Sequence, residues 1–252
     1  MNLVYLFMRK KTAFSIVELA ISIAIISLLI AGATAGQKML RLSQLRGIIS
    51  DITEVKRNLI SFQTTYKYLP GDLPNAYDYW GASVGCANTL ATSGGCNGDG
   101  NSKIEHTGEN YRVWQHLEQA GLITGKFSGI HSSNAAVLGV NMPYTKIKGV
   151  GMMLRYDDIV SAGDNPNFDF YANSLDIGKE TASLHIPGTN AFTPQETKKL
   201  DDKIDDGLPG SGSFYANSRT PNTGCIENSS GWKYKTSNPD IRCLIQVKIQ
   251  EL

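Results

Sequence analysis

The hydrophobic positions of this chain change their spacing three times, and each change predicts a different element. From Leu19 to Gln37 there are 19 residues without a charge. At about 1.5 Å of helical rise per residue, that run matches the ~30 Å hydrocarbon thickness of a bilayer. Phe14 to Val17 extend it backwards, interrupted by Glu18. After Lys38 the apolar residues thin out to helical spacing. Leu42, Leu45, Ile49, Ile52, Val55, Leu59 and Phe62 form one stripe, with Arg41, Arg46, Asp51, Lys56 and Arg57 on other faces. No proline occurs before Pro70, so a single helix is predicted to about Tyr66, with Gly32, Gly36 and Gly47 as its weak points.

Beyond Tyr66 the texture becomes that of a globular body. Tyr68-Leu-Pro-Gly-Asp-Leu-Pro-Asn75 stops the helix and opens a loop rich in Gly, Ser and Asn. Tyr111 to Ala120 reads as a short helix ended by Gly121. Thr193-Pro-Gln-Glu196 has the form of a capping box with Pro at the first helical position, opening a helix that stops at Gly207-Leu-Pro209. Val150–Tyr156, Phe168–Ile177, Ser183–Ile186 and Leu244–Ile249 read as strands. The predicted class is α+β. A long N-terminal helix, transmembrane and then amphipathic, precedes a loop-rich globular head with a small, mainly antiparallel sheet.

Composition narrows the function more than the fold. Among 252 residues, 41% are hydrophobic and 19% charged, which excludes wholesale disorder. A formal charge of +1 excludes nucleic-acid binding through bulk electrostatics, and no nucleic-acid contact is expected. Only one run is long enough to cross a membrane, so a single pass is expected. Arg9, Lys10 and Lys11 stand just before it and predict a cytoplasmic N-terminus with the head outside.

Glu18 separates the readings of this head segment. A carboxylate near the centre of a membrane costs roughly 2.5–3.5 kcal/mol, less near the edge, and calls for a partner. A secretory signal would be cut after the apolar run, at Ala33 or Ala35, and an uncleaved anchor would let Glu18 reach the interface. The third reading rests on resemblance. Lys10-Lys11-Thr12-Ala13-Phe14-Ser15-Ile16-Val17-Glu18-Leu19 resembles the cleavage and methylation motif of type IV prepilins and type II secretion pseudopilins.

That resemblance implies cleavage between Ala13 and Phe14 by a prepilin peptidase and N-methylation of Phe14. It makes residues 1–13 a leader, 14–66 a spine helix with 14–37 in the membrane, and 67–252 the head. Glu18 becomes the assembly residue, neutralised by the amino terminus of a neighbouring subunit. The implied partners are the peptidase, other pilins or pseudopilins and an inner-membrane assembly platform. The implied location is the inner membrane, with the head periplasmic, and then a filament. Two departures stand out. Ala13 replaces the glycine usual before the cut, and the leader is apolar at its start, so the true start is expected at Met8. Ala35 and Gly36 also stand where many pilins have a proline. The phrase LPGDLPNA, the WQHLEQAGLI helix and the PQETKKLDDKIDDG segment resemble bacterial prepilin-like proteins with larger heads. An anchored binding protein that does not polymerise is the alternative of a different class.

The cysteines and polar loops complete the inventory. Outside the membrane Cys86, Cys96, Cys225 and Cys243 are expected to be oxidised. Three connectivities exist; local pairing is expected, because each pair brackets a Gly/Asn-rich segment, and a Cys225–Cys243 loop resembles that of many pilins. Asn97, Asp99, Asn101 and Glu105 place oxygens at positions 1, 3, 5 and 9 of a glycine-rich loop. This pattern fits a calcium loop or a plain turn after a disulfide, and no other cofactor is expected. Asp201, Asp202, Asp205 and Asp206 read as a solvated helix face. Catalysis is not expected. Gly81-Ala-Ser83-Val-Gly85 lacks the preceding strand of a nucleophile elbow, and Gly121 to Lys126 is one residue short of a phosphate loop. His106, His116, His131 and His185 share no metal-ligand spacing.

Overall fold

A computed structural model of the chain describes residues 15–130, 135–157, 171–181, 184, 186–217, 224–228 and 231–249. Helix α1 runs without a break from Ile16 to Tyr66. Gly32 and Gly36 stay helical, with open space around each Cα, and Gly47 has a different role. A Cβ there would lie 2.5 Å from Lys146 Cγ, so Gly47 lets the Lys146 stem lie against the helix.

The chain forms two compact units, Met1–Ser43 and Gln44–Leu252, and the boundary falls inside α1. The second unit therefore contains the amphipathic half of the helix. Its buried stripe is Leu45, Ile48, Ile52, Val55, Leu59 and Phe62, in steps of three and four residues. The stripe is rotated slightly from the sequence reading. Leu42 is exposed and Ile49 half-buried, while Ile48 is fully buried. Asn58 is also buried beside it.

α1 ends at Lys67, which adopts φ +68° and donates its N–H to the Gln63 carbonyl at 2.8 Å. A residue in the left-handed region satisfies the last turn's carbonyls, and Pro70 prevents continuation. Helix α2 (Ala76–Val84) follows, in a segment that sequence reading treats as loop. Its end is marked by Gly85 at φ +67°. Helix α3 (Glu109–Gln119) begins two residues before its predicted start.

Among the described residues the sheet has four strands, β1 (Val150–Asp157), β2 (Ala172–Lys179), β3 (Phe214–Asn217) and β6 (Leu244–Lys248), in the antiparallel order β1-β2-β6-β3. β4 (Ile226–Asn228) and β5 (Trp232–Tyr234) form a separate hairpin. The expected strand at 168–177 begins outside the described residues at its N-terminal end and continues two residues further, to Lys179. Of the expected strand 183–186, Ser183 and His185 lie outside the described residues, and Leu184 and Ile186 are in no strand. Helix α4 (Pro194–Ile204) opens with the expected capping box. The Thr193 hydroxyl accepts from Glu196 N, and the Glu196 carboxylate accepts from Thr193 N.

Strand alternation divides the sheet into an apolar and a polar face. Met152, Leu154, Leu175, Ile177, Phe214, Ala216, Ile245 and Val247 supply the apolar face and are buried in one core with the α1 stripe. The opposite face is polar and also buried. Arg155 donates to Asp176 at 2.7 Å and to Asp157 at 2.5 Å, and Gln246 donates to Asp157 and Ser174. Desolvation would lower the Arg155 pKa, but the two carboxylates outweigh it and raise the value.

The phase of the α1 stripe is directly testable. Leu59→Ala empties a fully buried site and costs about 2–5 kcal/mol, whereas Ile60→Ala, on the exposed side, costs under about 0.5 kcal/mol. Denaturant unfolding of the full chain in detergent measures both; equal losses would refute this orientation of the helix.

Candidate functional site

The N-terminal unit places its chemistry at the start of α1. Ser15 stands just before the first helical residue. Its hydroxyl accepts from Val17 N at 3.3 Å, and its carbonyl accepts from Leu19 N at 3.1 Å. Ser15 thus caps the helix, and Glu18 falls in the first turn, where the helix dipole favours a negative charge. The S-x-x-E spacing that reveals this cap is visible in the sequence, overlapping the processing motif. Glu18 is exposed. Ala13 and Phe14 lie outside the described residues.

The rest of the apolar half conceals its few polar groups. Ser22 donates to the Glu18 carbonyl at 2.8 Å, Ser27 to Ile23 at 2.7 Å and Thr34 to Ala31 at 3.0 Å. Hydroxyls that bond their own helix leave no orphan donor in hydrocarbon. The segment is long and apolar enough to cross a membrane by length and composition.

In the head, a second constellation joins motifs far apart in sequence. Asp72, inside the Leu69-Pro-Gly-Asp-Leu-Pro74 phrase, is fully buried. Its carboxylate accepts the backbone N–H groups of Gly100 at 2.7 Å, Asn101 at 3.1 Å and Ser102 at 2.8 Å. Glu109, at the start of α3, accepts from Asp99 N at 3.0 Å and Glu105 N at 2.9 Å. Gly71 makes the approach feasible. It has φ +93°, and a Cβ there would lie 2.6 Å from the Glu109 carbonyl. His116 closes the arrangement: Nδ1 accepts from Gly71 N at 3.0 Å, so Nε2 carries the proton and donates to Cys96 O at 3.2 Å. The disulfides join Cys86 to Cys96 and Cys225 to Cys243.

These contacts redraw the expected calcium loop. Asn97 is committed elsewhere, its oxygen accepting from Tyr77 N and its amide donating to Asn88. Asn101 Nδ2 donates to Asp99 at 2.8 Å and to Glu105 at 3.4 Å. Around this loop, carboxylate oxygens of Asp72, Asp99 and Glu109 come within 4.8 Å of one another, and the oxygen spacing missed two of these residues. A hard cation entering here would take oxygens from these three, in competition with backbone amides already bonded to Asp72 and Glu109. The one signal that marks them in the sequence is position: an acid between two prolines, and an acid at the start of a helix.

The remaining candidates lie elsewhere in the head. Asp201 is buried and accepts from Tyr234 OH at 2.6 Å and Gly207 N at 3.2 Å. Asp205 accepts from the N–H groups of Ser213 and Phe214. Asp202 and Asp206 are exposed, Asp202 paired with Lys198 and Asp206 accepting from Leu208 N and Ser211 Oγ, and carboxylate oxygens of Asp201, Asp205 and Asp206 lie within 4.8 Å of one another. Ser83 and Gly81 lie within α2, so the G-x-S-x-G letters fall inside a helix and not at a strand-to-helix turn. Gly121 to Lys126 follows the end of α3 and opens no helix. His131 and His185 lie outside the described residues.

Comparison with known proteins adds one finding. Residues 8–34 match the family model of the prokaryotic N-terminal methylation motif. No curated protein and no solved structure matches the chain. The chain therefore carries the N-terminal signature of type IV pilin-like subunits: a processing motif leading into a long apolar helix, ahead of a disulfide-bonded α+β head. The family that the motif indicates is structural and not enzymatic.

Burial raises the pKa of Asp72, Glu109 and Asp201. Glu109 is pushed up to about 8 and Asp72 to about 6, desolvation outweighing the amides that favour the charged forms. Desolvation also lifts Asp201 to about 6 and lowers His116 to about 3. A carboxyl with a folded pKa above its unfolded value near 4.3 binds its proton more tightly when folded. Its stabilisation is therefore lost as pH rises through the folded pKa. Between pH 8.5 and 6.5 Glu109 dominates, and His116 opposes it only towards pH 6.5, where its imidazole becomes half protonated in the unfolded chain. The thermal midpoint should rise by about 2–4 °C on acidification from pH 8.5 to 6.5. Glu109→Gln should flatten that rise; an unchanged slope in the variant would disprove the assignment.

Proposed function

We infer that this protein is a minor pilin or pseudopilin, a structural subunit of a type IV pilus-like or type II secretion filament. The observation that carries the reading is the methylation motif at residues 8–34 running directly into an apolar helix with Glu18 in its first turn. The peptidase cuts between Ala13 and Phe14 on the cytoplasmic side and methylates Phe14. Glu18, costly to draw through hydrocarbon alone, pairs with the amino terminus of the neighbouring subunit, which fixes the stagger of the growing filament. The head stands in an oxidising compartment, in keeping with its two disulfides. Sister pilins and an inner-membrane platform are its partners, and its large head suits a tip or minor position.

Glu18→Ala tests assembly apart from anchoring. The variant should remain in the membrane and lose at least about ten-fold in incorporation into sheared filaments, the effect of a ~1.4 kcal/mol contact. Incorporation at the wild-type level would support an anchored binding protein that does not polymerise. Processing is tested by Ala13→Gly, which should be cleaved at least as fast as the wild type in a pulse-chase. Slower cleavage would argue against the assigned cut.

A further inference from the structure

The first turn after the uncharged run is neither a membrane core nor an ordinary solvated helix. Met39 is 75% exposed, Leu40 62% and Leu42 46%, with Lys38 exposed and Arg41 half-buried among them. A turn that remained in water would leave three large apolar side chains uncovered. A turn in the hydrocarbon would bury two cations. The headgroup layer accepts both: the apolar side chains turn towards the acyl boundary while the exposed Lys38 stem extends to the phosphates.

Spacing supports the same placement. Glu18 and Lys38 are 20 residues apart on one unbroken helix. At about 1.5 Å per residue the interval is ~30 Å, the thickness of the hydrocarbon layer. Everything polar between them except Gln37 is a hydroxyl bonded to the helix backbone. An upright helix can therefore hold its acid at one polar boundary and its base at the other simultaneously.

We propose that the Lys38–Leu42 turn is a binding surface for anionic lipid headgroups, which sets the depth of the unassembled subunit with Glu18 at the opposite boundary. The proposal rests on the membrane-spanning reading of the first half of α1. Lys38 engages lipid phosphates, and Met39, Leu40 and Leu42 occupy the acyl edge beside it. Movement of the subunit out of the bilayer then breaks the phosphate contacts as it draws Glu18 into hydrocarbon. Both act as a restoring force until a neighbouring subunit supplies a positive charge.

The test uses the full oxidised chain with one added cysteine, Ile25→Cys or Leu40→Cys, carrying a nitroxide label. The protein is reconstituted into vesicles of phosphatidylglycerol or phosphatidylcholine. Collision with oxygen and with a water-soluble nickel complex should place position 25 in hydrocarbon and position 40 in the headgroup layer. Spin-labelled phosphatidylglycerol should associate about five-fold more than phosphatidylcholine, as expected for a basic side chain at an anionic surface. Lys38→Gln should abolish that preference, and Lys38→Arg should retain it. Position 40 freely in water, or equal association of the two lipids, would overturn the proposal while leaving the membrane-spanning reading intact. Position 25 in water would overturn that reading itself.

Discussion

One helix has to meet two solvents, and the rest of the molecule follows from how it does so. From Leu19 to Gly36 its faces are apolar on all sides, which suits hydrocarbon, and the hydroxyls among them bond to its own backbone. From Leu45 onward only one stripe is apolar, and that stripe is the roof of the core of the second unit. Sheet, α3 and the disulfide loops assemble a body around those six side chains. The helix cannot rotate without exposing Ile48, Leu59 and Phe62, each now sealed from water. Its continuity through three glycines reflects tertiary packing and environment overriding a propensity penalty of roughly 1 kcal/mol each.

Away from the core, the head is held together by acids that collect backbone amides. Asp72 gathers three from one glycine-rich turn, Glu109 fixes both ends of the same loop, and Asp205 secures the approach to β3. A loop rich in Gly and Asn has little apolar surface to bury, so its order comes from satisfying N–H groups that would otherwise face the interior unpaired. The disulfides Cys86–Cys96 and Cys225–Cys243 serve the same end by closing short loops. Stacking of His116 on Phe62, at 6.3 Å between ring centroids, ties this loop region to the helix stripe.

How much of this was legible depended on the range of the interaction. The helix, the Thr193 capping box and β1 are written in local periodicity, and they appear within a residue or two of where that periodicity places them. The α1 stripe was misplaced at Leu42 and Ile49 because a continuous helix gives several near-equivalent apolar stripes, and only packing selects Ile48. Helix α2 was hidden by glycines at both its middle and its end. The carboxylate cluster was hidden for a deeper reason. Spacing suggested that the oxygens of Asn97, Asp99, Asn101 and Glu105 faced one point, whereas the acids that organise the loop, Asp72 and Glu109, lie outside it. The role of Asp72 depends on contacts 28 to 30 residues apart, which no local pattern encodes, whereas Glu109 reaches back ten and four residues. The Ser15 cap was within reach of the sequence, since the same four letters serve helix capping and processing.

The central claim is that the chain enters the membrane as a precursor and leaves the peptidase with Phe14 as its first residue. Intact mass and N-terminal sequencing of the protein isolated from its native membrane test it most directly. The account predicts a single mature chain beginning at N-methylated Phe14, with both disulfides formed. A chain that begins at Met1 or Met8, or one cut after Ala33 or Ala35, would contradict it and remove the assembly role from Glu18.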